Sequence, residues 1–144
     1  MAKFFVDGLG DLMEAFTNLE MLPEEVPLGM LDAEADVLCN AQKQKAETML
    51  RGPYSAGRVA NAIQKGPPKK TADGYVQHIT FEGIVVDKYH PNGTRAAEIA
   101  YVNEFGKPGQ PARPFIQTAN EESGDEAERA GAKVYDNYLE SKGL

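Results

Sequence analysis

Apolar positions follow a helical rhythm at both ends of the chain and a short, alternating rhythm between them. Leu9, Leu12, Met13, Phe16 and Leu19 recur at steps of three and four, which predicts a helix over 8–22 with Asp7 as an available N-cap. Pro23 ends it, and 23–27 is a connector. A second, longer helix is predicted over 28–50. Met30, Ala33, Val37 and Ala41 share a face that Leu31 and Leu38 widen, while Lys43, Lys45 and Glu47 point away; Gly52 and Pro53 close the helix. Residues 54–74 are the least regular stretch. Val59, Ala60 and Ile63 suit one helical turn or a short strand, and the Gly- and Pro-rich remainder around 66–74 reads as a mobile loop. Residues 75–81 alternate as a strand with Tyr75, Ile79 and Phe81 on one face. Glu82-Gly83 is a turn, Ile84-Val85-Val86 a buried strand, and Pro91-Asn92-Gly93 a turn. Residues 96–105 fit either a short helix or a strand leading into one. Residues 107–114, with three prolines, read as extended. A long helix is predicted over 115–141, with Ala127, Ala130, Gly131, Val134 and Tyr138 on one face, small enough for a partner element to approach closely. The predicted class is α+β: two N-terminal helices, a small antiparallel sheet, and a long C-terminal helix packed on that sheet.

Length allows a single domain, 1–144, and composition is ordinary for a folded one: 42% hydrophobic and 26% charged. No apolar run reaches the roughly 20 residues of a membrane-spanning helix. The start, with one Lys and a short Phe4-Phe5-Val6 cluster, does not read as a signal peptide. The single Cys39 excludes an internal disulfide and fits synthesis and folding in a reducing cytoplasm.

Charge changes the picture more. The net charge is -7, but unevenly spread: 1–50 holds ten acids against three lysines, and 121–144 seven acids against three bases. Between them 51–70 holds Arg51, Arg58, Lys65, Lys69 and Lys70 and no acid. Solvated faces account for much of this pattern. An acidic body with one basic arm is the sharper reading, the arm reaching an acidic neighbouring subunit or touching nucleic acid weakly. An acidic protein is a poor general DNA binder, because that affinity rests on neutralising phosphates.

Catalytic signatures are missing from the pattern. His78 and His90 are the only histidines, and neither they nor Cys39 fall at metal-ligand spacing. There is no nucleophile elbow and no phosphate-binding P-loop, and Gly8-Leu9-Gly10 lacks the preceding strand and third Gly of a dinucleotide cradle. Glu24-Glu25 and Glu121-Glu122 read as solvated helix ends. The expectation is a protein without enzymatic activity and without a cofactor.

One block carries a resemblance. Ile99-Ala100-Tyr101-Val102-Asn103-Glu104-Phe105-Gly106, followed by Pro111-Ala112-Arg113-Pro114-Phe115-Ile116, resembles the small tail-completion or head–tail joining (neck) proteins of long-tailed double-stranded DNA bacteriophages and prophages. Those proteins share a Val-x-Glu-Phe-Gly segment, a short linker, Pro-Ala-Arg-Pro-Phe, and a long C-terminal helix. Gly8-Leu9-Gly10-Asp11-Leu12 is similar to the family's opening helix, and Gly52-Pro53-Tyr54-Ser55-Ala56-Gly57-Arg58 through Ile63 to its central stretch. Departures are Ala56 where Thr is usual, Val59 for a Leu normally nearer the Gly, and Tyr101 after Ala100 in inverted order.

The resemblance implies a virion structural protein, assembled in the bacterial host cytoplasm and located at the neck or tail. It would form a homo-oligomeric ring of six and join the portal or head-completion side to the tail tube or terminator, with DNA at most passing through the lumen. Other readings are a tail terminator, a collar subunit of a tail-like particle, or a small prophage-encoded binding module.

Within the block, Phe105 and Phe115 are expected to bracket the linker as anchors in one core, with Gly106 at a positive φ and Pro114 starting the last helix; these four form a structural corner. Glu104 and Arg113 are candidates to pair across the linker. Tyr101, Glu104 and Arg113, with Lys69 and Lys70 of the basic arm, are the candidate subunit-interface residues. The arm, within 51–74, is expected to be mobile until a neighbour orders it.

Overall fold

A computed structural model describes residues 22–50 and 57–143. The predicted helix over 8–22 lies, except for Leu22, outside the described residues.

The elements run α1 (Glu25–Met49), α2 (Arg58–Ala62), β1 (Ile63–Lys65), β2 (Lys69–Thr71), β3 (Gly74–Val76), β4 (Ile79–Phe81), β5 (Ile84–Val85), β6 (Thr94–Arg95), α3 (Ala96–Phe105) and α4 (Phe115–Ser141). The class is α+β, and the C-terminal helix has the predicted limits.

Helix α1 begins at Glu25, three residues before the predicted start. Pro27 sits in its first turn, where amides have no helical partner, so a proline costs no hydrogen bond there. Its buried stripe is Ala35, Cys39, Gln42 and Ala46, whereas the predicted face of Met30, Ala33, Val37 and Ala41 is only half-buried. The polar Gln42 hid that stripe: it is 5% exposed and its Nε2 donates to Asn120 Oδ1 of α4 at 2.9 Å.

Helices α1 and α4 pack antiparallel. Near one end Gly29 faces Val134, and near the other Lys45 pairs with Glu122 at 2.6 Å. The small-residue face of α4 is consumed here: Ala127 is 4% exposed, and the Glu34 side chain of α1 lies across Gly131 where a Cβ would stand. That face therefore serves a partner helix in the same chain and does not present a site for a second subunit.

The sheet is smaller and more divided than predicted, being three two-stranded antiparallel ladders, β1–β4, β2–β3 and β5–β6. The strand predicted over 75–81 breaks at Gln77 and His78. Gln77 Nε2 donates to Gly66 O at 2.8 Å and to Asp32 Oδ1 at 2.9 Å, so β3 and β4 join different ladders. Within the predicted mobile loop, 51–56 lie outside the described residues; 58–65 form α2 and β1, and 69–76 form the β2–β3 hairpin.

The main core lies where α1, α2, β1, α3 and the start of α4 converge. Leu50, Ile63 and Phe115 are its largest fully buried side chains, and Phe81 of β4 meets Phe115 edge-on with ring centroids 6.0 Å apart. The last helix thus touches the sheet through its first turn and runs along α1 for the rest.

Candidate subunit interface

The conspicuous sequence block folds as a corner between α3 and α4. Helix α3 ends at Gly106, whose φ of 77° lies in the left-handed region. A Cβ there would stand 2.8 Å from Ala112 N and 2.9 Å from Gln110 O, so conformation and space both require glycine. The linker is not extended throughout. Lys107 and Gln110 exchange backbone hydrogen bonds of 3.0 and 2.9 Å around Pro108-Gly109, with Gly109 at φ 84°. That Pro-Gly pair is a turn signal in the sequence that the proline count obscured.

Helix α4 starts at Phe115 with Pro114 as its N-cap, and Pro114 has no side-chain acceptor. Glu104 fills that role from α3: its Oε2 accepts from Ile116 N at 2.8 Å and its Oε1 from Gln117 N at 2.9 Å. A carboxylate on the free amides of a helix start is favoured by the hydrogen bonds and by the positive end of the helix dipole. Glu104 is 8% exposed, so it belongs to the inside of the corner.

Arg113 does not pair with Glu104. Its Nη2 donates to Asn103 Oδ1 at 2.6 Å and its backbone N to Asn103 O at 2.6 Å. Asn103 in turn donates Nδ2 to Ile99 O at 2.9 Å. Asn103 escaped the sequence reading because an Asn in an apolar block gives no pattern of its own. The need for Glu104 was legible: a helix starting Pro-Phe without Ser, Thr, Asp or Asn must take a cap from elsewhere.

The two phenylalanines part company. Phe115 is 0% exposed in the core, whereas Phe105 is 67% exposed and Tyr101 64%. Phe105 is thus not a core anchor. Tyr101 and Phe105 are four residues apart on α3, so they share one face. Their rings lie 4.8 Å apart between centroids at 50°.

The basic arm is largely partnered within its own chain. Lys65 Nζ pairs with Asp32 at 2.9 Å and Asp36 at 2.5 Å, and Lys70 pairs with Glu24. Hydrogen bonds from Gln77 and then Lys65 hold the Asp32 carboxyl below the usual carboxylate range, and those that Lys65 donates to Asp36 and then Asp32 push its ammonium up. Glu24 likewise raises Lys70. The acidic face this arm meets is α1. Lys69 lies exposed on β2 beside it.

A second surface feature lies at the other end of α3. An open groove of about 430 Å³ is bordered by Arg58, Asn61, Glu82, Ile84, Val86 and Ala96. Ile84 and Val86 are 69% and 61% exposed. Arg58 Nη1 donates to Val86 O at 2.7 Å and meets Asp87 Oδ2 at 3.2 Å. Partial burial works against the charge of Asp87. The Tyr89 amide, then the ring and amide of His90, outweigh it and hold the carboxyl low.

Among the described residues no group of three or more His, Cys, Asp or Glu could hold a metal ion, and no helix is long and apolar enough to cross a membrane. No protein-family profile, characterised protein or solved structure matches the chain.

Proposed function

We propose that this chain is a structural subunit of a ring at the neck or head-proximal tail end of a long-tailed phage or phage-derived tail particle. It acts by docking surfaces together and not by catalysis. The reading rests on the likeness of the 99–116 block to neck and tail-completion proteins. One observation supports it most: Tyr101 and Phe105 stand side by side in solvent on a helix whose end is tied down by the corner. Paired exposed aromatics on a rigid element are what interface anchors require, because they bury much area at little conformational cost.

The acidic balance supports the same role. Glu121, Glu122, Asp125, Glu126 and Glu128 are exposed along α4. An acidic wall around a channel would not hold a passing DNA backbone, since like charges repel.

Native mass spectrometry and light scattering test the proposal. The wild-type chain is expected to assemble into a closed ring of six. The double variant Tyr101→Ser, Phe105→Ser is expected to keep its circular dichroism spectrum and remain monomeric. A wild type that stays monomeric at high protein concentration, and is monomeric in particles, overturns the proposal.

A further inference from the structure

We infer that Asn92 is a site of covalent modification: its side-chain amide is lost through a cyclic imide, and the folded turn around it sets both the rate and the damage. The inference stands apart from the ring reading.

Pro91-Asn92-Gly93 places the two reacting groups next to each other. The Gly93 amide nitrogen gives up its proton to base and attacks Asn92 Cγ. A C–N bond forms, the side-chain nitrogen leaves as ammonia, and a cyclic imide closes. Water then adds to the imide. Cleavage at the side-chain carbonyl leaves aspartate. Cleavage at the backbone carbonyl leaves isoaspartate, with the chain running through Cβ and one methylene longer. Either way a water is consumed, an ammonia is released and a negative charge is gained. Glycine is the follower that hinders the attack least, because it has no Cβ beside its nitrogen.

The fold singles out this position. Asn92 is exposed and lies outside every helix and strand. Among the described residues the other asparagines, Asn40, Asn61, Asn103, Asn120 and Asn137, all stand in helices. Each is followed there by a residue with a side chain, whose amide belongs to the helical ladder.

The same turn restrains the reaction. Gly93 N donates to His90 O at 3.0 Å, closing a turn with Pro91 and Asn92 at its centre. Closing the imide must break that bond and bring the nitrogen onto Cγ. Gly93 also has a packing role. Its φ is 84°, and a Cβ there would stand 2.8 Å from Ile84 Cγ2. The residue that leaves Asn92 open to attack is thus the one that lets the turn lie against Ile84. The next residue, Thr94, pairs with Val85 in the β5–β6 ladder. An extra backbone methylene before Gly93 therefore disturbs the turn, its contact with Ile84 and the ladder register together. Aspartate adds only a charge to an exposed side chain.

Incubation of the wild-type chain at mildly alkaline pH, with ion exchange and peptide mass mapping, tests the inference. Isomerisation at Asp73-Gly74 changes no mass and is not counted. Asn92 is expected to lose its amide before any other asparagine, and severalfold faster in the urea-unfolded chain than in the folded one. Asn92→Gln, whose closure needs a larger ring, is expected to gain no charge at this position. The purified isoaspartate form should melt a few degrees below wild type, and Asn92→Asp should melt with it. Earlier loss at another asparagine would overturn the site. Equal rates in the folded and unfolded chains would overturn the restraint by the turn. An isoaspartate form that melts like wild type would overturn the link to the ladder.

Discussion

Two faces of one helix invert the usual expectation. On the inner face of α3, the charged Glu104 is 8% exposed; on the outer face, Phe105 next to it is 67% exposed. Polarity alone would place them the other way round. Hydrogen-bond accounting decides it instead. The start of α4 has free backbone amides and a proline at its cap, so a buried acceptor there replaces a bond that would otherwise be missing. No such need draws Phe105 inward, because Phe115 already fills the core position beneath the corner. The difference teaches that on α3 the charged Glu104 holds the fold while the aromatic Tyr101 and Phe105 stand in solvent.

The largest way to break that comparison is Phe115→Ala. The side chain is fully buried, and its ring meets Phe81 edge-on. Loss of a buried Phe typically costs about 3–5 kcal/mol, a large share of the about 5–15 kcal/mol available to a domain. Thermal melts should show the midpoint falling by more than about 10 °C. A variant that melts like wild type would mean that Phe115 does not pin α4.

Glu104→Ala comes next. It leaves the Ile116 and Gln117 amides without their acceptor, and both bonds are to a charged group. The expected loss is about 2–3 kcal/mol. Glu104→Gln keeps one acceptor oxygen and should recover about half of it. Hydrogen exchange at Ile116 and Gln117 reads the cap directly. Unchanged protection there in Glu104→Ala would return Glu104 to the surface role that sequence reasoning gave it.

These residues also mark where the sequence was legible. Helix α4 could be read residue for residue, because Pro114 sets its start and its apolar and small positions keep helical spacing over 27 residues. Helix α1 was legible in extent but not in face, since the buried stripe passes through Gln42 and small residues. The sheet was legible only as strand-forming segments. Which strands pair depends on Gln77 reaching Gly66 and Asp32, and such a contact between distant residues leaves no periodic trace. At the corner, the residue types that mattered were all noticed except Asn103. Their directions were not, because Glu104 and Arg113 were matched by charge with each other when each had a backbone or amide partner instead.

The basic arm gives a smaller and pH-dependent effect. Asp32 is held low, so its contribution is present above the ordinary carboxylate value of about 3.9 and is lost as pH falls through its lowered folded value. Lys65 is held high, so its contribution is present below about 10.4 and is lost as pH rises through its raised folded value. The Lys65 links should therefore hold across the neutral range and fail at both extremes. Because the partners are partly solvated, Lys65→Met should cost no more than about 1 kcal/mol, less in high salt. Hydrogen exchange in the β1–β4 ladder, which carries Lys65, against pH and salt checks this. A ladder equally protected at all salt concentrations would show that Gln77, not the charges, secures it.

The smallest expected change in stability sharpens the comparison most. Phe105→Ala makes the same substitution as Phe115→Ala, in the same block, ten residues away. Its ring touches Tyr101 on the surface and is not part of the buried core. A side chain already two-thirds exposed returns little area to water on unfolding, so its removal should change stability by no more than about 0.5 kcal/mol. Helix propensity tilts the balance towards Ala by a few tenths of that unit. The melt of Phe105→Ala should thus overlay wild type, while its assembly, followed by light scattering, should weaken. A melt lowered as far as that of Phe115→Ala would mean that the outer face of α3 is covered in the folded subunit. The distinction between a fold-holding inner face and a solvent-facing outer face would then fail.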